Sequence, residues 1–222
     1  MLRSYSSWLL GFLTLVGLSS SVESARAQTT YKFDATYDAS SALFYPITEN
    51  ITARTISGSS NNAPFGLTKA SGLLYVQTDL SSASYRFSSN PETFGLLSLP
   101  LGGVTLFGEG NNKLFYEVEN GTGVVDLTNL TTTGTNINNI TGGQGLFQGA
   151  TGTLNGFEIY QVGNLLVDTT SPSRGSVRIS GAISVLTTQK VPEPNTTAAL
   201  TGIGIIVATF LLWRKHYINA SN

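Results

Sequence analysis

The stretch YKFDATYD, residues 31–38, alternates apolar and polar side chains from one position to the next. Tyr31, Phe33, Ala35 and Tyr37 fall on one face of an extended chain, and the Lys, Asp and Thr side chains fall on the other. Because successive side chains of a β-strand point to opposite faces of its sheet, this period of two predicts a strand with one buried face. The stretch therefore favours an all-β fold.

The same alternation recurs further along the chain and predicts more strands. These segments span residues 73–78, 84–87, 104–107, 114–118, 123–127, 154–161, 165–168 and 177–185. Clusters of Gly, Asn, Ser and Pro predict turns between them, at residues 57–62, 108–112, 120–121, 142–143 and 171–173. None of this region shows the periodicity of an amphipathic helix. We therefore expect a single all-β domain over residues 28–190, built as a sandwich or a barrel of about 8–11 strands.

A glycine-rich stretch at residues 143–154, GQGLFQGATGTL, places four glycines around one Leu-Phe pair. A phosphate-binding loop is disfavoured, because the third glycine of a G-x-G-x-x-G pattern would fall at Gln148 and no amphipathic helix follows. The glycines instead predict a strand, turn and strand in which Phe147 fills the core. The stretch resembles the G-x-F-x-G-A-T-G turn of many exported bacterial β proteins and of dirigent-like or allene-oxide-cyclase-like barrels, which favours a barrel over a sandwich.

Charge and cysteine content limit what the region 28–190 can be. Eight Lys and Arg residues stand against eleven Asp and Glu residues, which gives the region a net charge of −3. No cluster of basic residues is present to neutralise phosphates, so we expect no nucleic-acid partner. The chain has no cysteine, so an exported domain has to be stabilised by its core, or by a bound ion or partner, without disulfides.

The same region lacks the residues of common catalytic sites. The one histidine of the chain, His216, lies beyond the C-terminal apolar segment, so neither a Ser-His-Asp triad nor a usual zinc site can form in residues 28–190. Glu117 and Glu119 lie on one face of a predicted strand, with side-chain roots roughly 7 Å apart, a separation that glycosidase carboxylates also show. Such pairs also arise on any solvated strand face, and this is the interpretation we adopt. The sequence therefore predicts no enzyme, no cofactor and no metal.

Two binding alternatives stay open from the residue types alone. Asp34 and Asp38 do not belong to a D-x-[DN]-x-[DN]-G loop, so a calcium site would have to combine distant loops. Most aromatic residues occupy inward positions of predicted strands, whereas Phe44, Tyr45 and Tyr160 are less constrained. These three are candidates for stacking on sugar rings.

Residues 1–27 have the layout of a secretory signal peptide. A single cation precedes an apolar run of 11 residues, and a small-residue site at Ala25 and Ala27 follows. The run is too short to cross a membrane core of about 30 Å, and no stop-transfer charges follow it. We expect a signal helix that directs the chain to the export translocon and is removed by signal peptidase before Gln28.

The chain ends in a Pro-Glu-Pro segment, an apolar segment and two cations. Pro192 and Pro194 lack an amide donor and bias the preceding residue toward extended geometry, which predicts a stiff, exposed peptide. The uncharged segment of 18 residues that follows is about 27 Å long as a helix, enough to cross a membrane. Arg214 and Lys215 then stop transfer and hold the C-terminus in the cytoplasm. We divide residues 191–222 into a hinge at 191–195, a transmembrane helix at 196–213 and a basic tail at 214–222.

This order of motif, apolar span and basic pair resembles the PEP-CTERM protein-sorting signal of Gram-negative bacteria. The resemblance implies that an exosortase, a membrane enzyme, removes or transfers the signal. It also implies an association with exopolysaccharide or biofilm production. As implied by the family, the tail residues are substrate residues: the sorting motif is Val191, Pro192, Glu193 and Pro194, and the retention element is Arg214 and Lys215.

These observations predict an exported cell-surface or extracellular-matrix protein. The precursor is expected to cross the inner membrane, to be anchored transiently in membrane lipid, and to reach the cell surface through exosortase processing. Its β domain is expected to be structural or adhesive and linked to exopolysaccharide. The alternative is an extracellular carbohydrate-binding module or a polysaccharide hydrolase.

Overall fold

Nine strands make up most of the computed structural model, which describes residues 26–162 and 172–188. Within these ranges no α-helix is present, and the helical segments are the short 3-10 turns Pro64–Gly66, Pro91–Phe94 and Gly145–Phe147. The strands in chain order are β1 Arg26–Pro46, β2 Ile51–Ser59, β3 Lys69–Asp79, β4 Ser84–Ser88, β5 Gly103–Phe107, β6 Lys113–Asp126, β7 Thr131–Gln144, β8 Thr151–Gln161 and β9 Ser173–Thr188.

The strands form one sheet that closes on itself. Successive strands pair antiparallel from β1 to β3 and from β6 to β9, and β9 lies next to β1. Strands β4 and β5 lie end to end in a single position, because each pairs with a different half of both β3 and β6. The sheet belongs to one compact unit, Gln28–Thr187. The all-β prediction is confirmed, and closure corresponds to the barrel among the two expected architectures.

The inner face of the sheet carries the apolar core. Phe33, Ala35 and Tyr37 of β1 are at most 1% exposed, as the alternation along that strand predicts. They belong to one cluster with inward aliphatic side chains of the other strands, including the fully buried Leu106 and Leu154. Burying one such large side chain contributes roughly 1.5–3 kcal/mol. The interior therefore supplies the stability that a chain without disulfides needs.

One end of the closed sheet is sealed by three aromatic rings. Tyr31, Phe65 and Phe147 meet edge to face, with ring centroids 5.5 to 6.2 Å apart. Phe147 is fully buried, as the glycine-rich stretch predicts. Gly145 and Gly149 adopt the positive φ angles of 64° and 69° that its turn requires. The turn therefore folds the Phe147 ring back over this end of the interior.

Hydrogen bonds join the loops over the sealed end. The Asn112 side chain donates from Nδ2 to the Phe65 carbonyl at 3.1 Å, and its Oδ1 accepts from the Leu146 N–H at 3.0 Å. The Tyr37 hydroxyl donates to the Leu67 carbonyl at 2.6 Å. Three separate loops are therefore tied together where the aromatic rings meet.

Residues 89–102, between β4 and β5, leave the sheet and return to it at the same strand position. The Gly102 N–H donates to the Ser89 carbonyl at 2.8 Å, so the two ends of the excursion adjoin. The hydroxyl of the fully buried Tyr75 donates to the Pro100 carbonyl at 2.6 Å. The excursion therefore covers part of β3 outside the main core.

Two strands and two turns differ from the sequence prediction. β2 and β7 were not expected, because Ser, Thr, Asn and Gly occupy most of their positions and blur the contrast between the two faces. The turn predicted at residues 120–121 is wrong, since Asn120 and Gly121 lie within β6 beside a bulge that follows Val118. The turn predicted at residues 142–143 is also wrong, since both glycines pair with β6 as part of β7. A Cβ atom at Gly121 would overlap the ring of Phe87, so this glycine serves packing.

The predictions about export concern a cleavage site near the start of β1 and a membrane helix near the end of the chain. Ala27 and Gln28 belong to β1, so cleavage before Gln28 would remove only the first two residues of that strand. Among the residues that the structure describes, no helix is long and apolar enough to cross a membrane. Predicted features outside the described residues are the signal segment up to Ala25, the strand at 165–168, the hinge at 191–195, the helix at 196–213 and the tail at 214–222.

Candidate functional site

A cavity of about 130 Å³ lies inside the closed sheet, near the end opposite the aromatic seal. Thr78 lines it from the end of β3, Tyr160 from the end of β8 and Ser173 from the start of β9. The volume is comparable to the roughly 150 Å³ of an engineered protein cavity that holds benzene. The apolar part of its wall includes Ile56, Val76, Phe87, Val104, Val118 and Val177.

Several polar side chains line the same cavity, among them Arg54 on β2, Tyr85 on β4, and Glu158 and Tyr160 on β8. The Tyr85 hydroxyl donates to Glu158 Oε1 at 2.9 Å. Arg54 donates from Nε to Ser41 Oγ at 2.9 Å and from Nη2 to the Ser41 carbonyl at 3.1 Å. The cavity lining therefore combines apolar side chains with charged, hydroxyl and amide groups.

Glycines allow Tyr85 to reach Glu158 across two intervening strands. Tyr85 is paired with Gly123 of β6, and Gly123 is paired with Gly134 of β7. Gly134 is in turn paired with Glu158 of β8. A Cβ atom at Gly123 would overlap the Tyr85 ring, and one at Gly134 would overlap the Tyr85 hydroxyl. The hydrogen bond thus depends on two neighbouring positions that carry no side chain.

A second aromatic ring repeats this arrangement one row deeper in the interior. Phe87 is paired with Gly121 of β6, and its ring occupies the space that a side chain at Gly121 would fill. The Phe87 and Tyr85 rings stack with centroids 5.7 Å apart and an interplanar angle of 18°. Together the two rings form a continuous aromatic wall that ends in the Tyr85 hydroxyl.

The position of Glu158 makes its carboxyl titrate close to neutral pH. Burial raises the pKa of Glu158 from its ordinary value of 4.5 to about 7, and the hydrogen bond from Tyr85 opposes part of that rise. The side chain still keeps some accessible surface, as expected for a group that faces a cavity. Among the described residues, Tyr85 is the one hydrogen-bond donor to this carboxyl.

The other polar groups of the cavity keep their protons near neutral pH. Burial raises the pKa of the Tyr85 and Tyr160 hydroxyls, and the negative charge of Glu158 adds to both rises. Burial lowers the pKa of Arg54, while Tyr160 opposes that change. A guanidinium nevertheless stays charged in proteins. Glu158 is therefore the group whose charge changes at physiological pH, and it is able to accept, donate or exchange a proton there.

The carboxylates singled out in the sequence lie away from the cavity. Glu117 and Glu119 are both exposed on β6, and the Asn139 Nδ2 donates to Glu119 Oε2 at 2.9 Å. Asp34 is exposed on β1 and forms an ion pair with Arg178 at 2.9 Å. In residues 26–162 and 172–188 no group of three or more His, Cys, Asp or Glu side chains is placed to hold a metal ion.

The remaining predicted residues divide between the structure and the parts outside it. Tyr160, a candidate for sugar stacking, is instead 6% exposed and faces the interior cavity. Ala27 and Gln28 lie in β1. The predicted residues outside the described ranges are Ala25, Val191, Pro192, Glu193, Pro194, Arg214 and Lys215.

Glu158, Arg54 and Tyr85 were not predicted as site residues. For Glu158 the sequence does carry a signal. Glu158 lies an even number of positions from Leu154 and Tyr160 on β8, so it falls on the same face as these two buried residues. A carboxylate at an inward position of a strand is unusual and marks either a paired or a functional group. No comparable local signal exists for Arg54, since β2 itself lacks a clear alternation.

A second concave surface lies on the outer face of β6 to β9. Phe157 is 48% exposed at its centre, in a row with Thr135 of β7 and Arg178 of β9. The charge of Arg178 is offset by its ion pair with Asp34. The surface thus presents an aromatic ring among uncharged polar groups, which include Asn120, Thr122, Asn155 and Ser180.

Comparison with known proteins identifies no relative. No protein-family model, no curated protein and no solved structure matches this chain significantly.

We predict that Glu158→Gln changes how stability depends on pH. The pKa of Glu158 is higher in the folded than in the unfolded chain, so the protonated carboxyl favours folding below about pH 4.5 and this contribution is lost as the pH rises through about 7. Glutamine keeps the shape without ionising. The free energy of unfolding of the variant, relative to the wild type, should therefore increase by about 1–3 kcal/mol between these pH values.

Denaturant unfolding of the full-length chain at a series of pH values measures this difference. Glu117→Gln is the matched control, because it removes one carboxylate from the exposed surface of β6. A difference between Glu158→Gln and wild type that does not change with pH would contradict the prediction. An equal change in both variants would assign the effect to net charge.

Proposed function

We propose that the protein is an exported, cell-surface protein whose closed sheet binds a small, largely apolar molecule in its interior. The cavity carries this proposal. Protein interiors normally contain few voids larger than a water molecule, yet the interior of this sheet leaves about 130 Å³ unfilled beside Glu158. A buried carboxyl is also costly unless it has a partner or a use. An apolar wall with a few convergent polar groups is the usual chemistry of a small-molecule site.

Filling the cavity with a larger side chain should prevent binding. Val76 faces the cavity from β3, so Val76→Phe places a ring in the space that the ligand needs. Methylcyclohexane is a suitable apolar probe of this size. In the full-length wild type it should shift the methyl NMR signals of Ile56 and Val118, which line the cavity. We expect Val76→Phe to weaken this binding at least about tenfold, a change of roughly 1.4 kcal/mol.

Val124→Phe is the control for the same change in volume, because Val124 is 59% exposed. This variant should bind the probe as the wild type does. The proposed function fails if methylcyclohexane leaves the cavity methyl signals of the wild type unchanged, or if Val76→Phe binds it equally well.

We further propose that the ends of the chain determine where this domain is delivered. The signal segment would direct export across the inner membrane, and the Val191 to Pro194 motif with its apolar span would present the chain to an exosortase. The order of these features supports the proposal. A structural or adhesive role in an exopolysaccharide matrix is part of it, and ligand binding in the cavity would be the activity that the domain brings to the surface.

Changing Pro192 and Glu193 to Ala should leave export intact and trap the protein in the membrane, because the processing enzyme loses its recognition element. Asn195→Ala with Thr196→Ala is the control in the residues directly after the motif. Mass spectrometry of both termini in each cell fraction measures the outcome. Unchanged C-terminal processing of the Pro192 and Glu193 variant would count against sorting by this motif.

Carbohydrate binding on the outer surface is a second candidate function. The exposed ring of Phe157 offers an apolar face to a sugar ring, and the amide and hydroxyl groups around it match sugar hydroxyls. The neutrality of the Arg178 and Asp34 pair favours an uncharged polysaccharide. Hydrolysis is not part of this candidate, because neither Glu117 nor Glu119 lines the surface.

Phe157→Ala should abolish retention of the full-length chain by an immobilised neutral polysaccharide in affinity electrophoresis, since the stacking ring is lost. Leu186→Ala is the control, because Leu186 is 58% exposed but lies outside this surface. Equal retention of wild type and Phe157→Ala would exclude this candidate, and so would a wild type that no neutral polysaccharide in a dextran, mannan, glucan and xylan series retains.

A further inference from the structure

We infer that the molecule bound in the cavity carries an uncharged hydroxyl group, which donates a hydrogen bond to Glu158 and accepts one from Tyr160. This inference rests on the proposed function of the cavity and names the chemical class of its ligand. The ligand is a small alcohol with an apolar ring or chain.

Glu158 has hydrogen-bonding capacity that the protein leaves unused. An ionised carboxyl has two oxygens and about four acceptor sites. Among the described residues one donor, the Tyr85 hydroxyl, uses one of these sites on Oε1. The side chain keeps accessible surface although it points into the interior, so its remaining acceptor sites face the cavity. A ligand at this position gains most by offering a donor.

Tyr160 supplies the complementary group. Its ring is 6% exposed and lines the cavity, and its hydroxyl lies close enough to Glu158 and Arg54 for both charges to act on it. Tyr160 and Glu158 are two residues apart on β8 and point to the same face, with side-chain roots roughly 7 Å apart. A phenol hydroxyl is a donor toward an acceptor on the ligand. One ligand group can therefore contact both side chains if it both donates and accepts, which a hydroxyl does.

The charges around the cavity disfavour an ionic ligand. Arg54 and Glu158 carry opposite charges in the same lining, and Arg54 already donates twice to Ser41. An ammonium group would be attracted by Glu158 but repelled by Arg54. A carboxylate group would be attracted by Arg54 but repelled by Glu158. Either ion would give up its hydration in a largely apolar volume of about 130 Å³. An uncharged hydroxyl avoids this cost.

The affinity of the cavity for an alcohol should depend on pH. Arg54 of β2, Tyr85 of β4, Tyr116 of β6 and Tyr160 of β8 are the other titratable groups that line the cavity in the described residues. The residues of β1, β3, β7 and β9 in the lining are apolar, hydroxyl or amide side chains. Burial raises the pKa of Tyr116 as well, so the tyrosines stay protonated. Ionisation of Glu158 strengthens it as an acceptor, so alcohol binding should tighten as the pH rises through about 7.

The test compares cyclohexanol, methylcyclohexane and the cyclohexylammonium ion on the full-length protein, followed through the methyl signals of Ile56 and Val118. Both Glu158→Gln and Tyr160→Phe keep the shape of the cavity. Glu158→Gln replaces one carboxylate oxygen by an NH2 donor and removes the negative charge, and Tyr160→Phe removes the hydroxyl donor. Each variant should weaken cyclohexanol about tenfold and leave methylcyclohexane unchanged. Glu117→Gln, on the exposed surface, should leave both affinities unchanged. Cyclohexanol should bind the wild type more tightly at high pH, and methylcyclohexane should show no such trend.

The outcomes separate this inference from the proposed function. If both uncharged probes bind but neither Glu158→Gln nor Tyr160→Phe weakens cyclohexanol, the cavity function stands and the hydroxyl inference is overturned. Tighter binding of cyclohexylammonium than of cyclohexanol would overturn the inferred ligand class. If neither uncharged probe shifts the cavity methyl signals, both the proposed function and this inference fail.

Discussion

The pairing that brings β9 back to β1 is the constraint on which the rest of the structure depends. A closed sheet has one interior, and each inward position of its strands carries a core side chain, a glycine or a side chain that lines a cavity. All three cases occur among the described residues. Phe33 and Leu154 fill the core, Gly121 and Gly123 make room for rings from the neighbouring strand, and Glu158 borders the cavity. Closure also removes the free edges through which an open sheet would associate with other chains.

The two ends of the interior differ in how tightly they are packed. At one end Phe147 and its aromatic neighbours pack edge to face, and Asn112 joins the loops above them. At the other end the rings of Tyr85 and Phe87 stop short of filling the space, and polar groups gather around the opening that remains. The burial of Glu158 costs stability, and the well-packed end is where that loss is offset. A division of this kind lets a small domain without disulfides hold a cavity.

The sequence predicts the parts of the fold in which apolar and polar residues contrast. The alternation in β1 identifies its buried face, and the glycines around Phe147 identify the turn that places this ring in the core. β2 and β7 are missed because glycine and polar side chains occupy inward positions, Gly134 among them, and erase the contrast. The contact between Tyr85 and Glu158 cannot be predicted from local sequence patterns, since it depends on the register of four strands.

The excursion between β4 and β5 has a consequence for how this architecture can diversify. It starts and finishes at adjoining points, linked by the bond from Gly102 to Ser89, and it lies outside the main core. A loop anchored in this way can be lengthened or exchanged at little thermodynamic cost, because the closure penalty grows only with the logarithm of its length. Changes in this loop can therefore alter the outer surface of the protein while the strand register and the cavity stay the same.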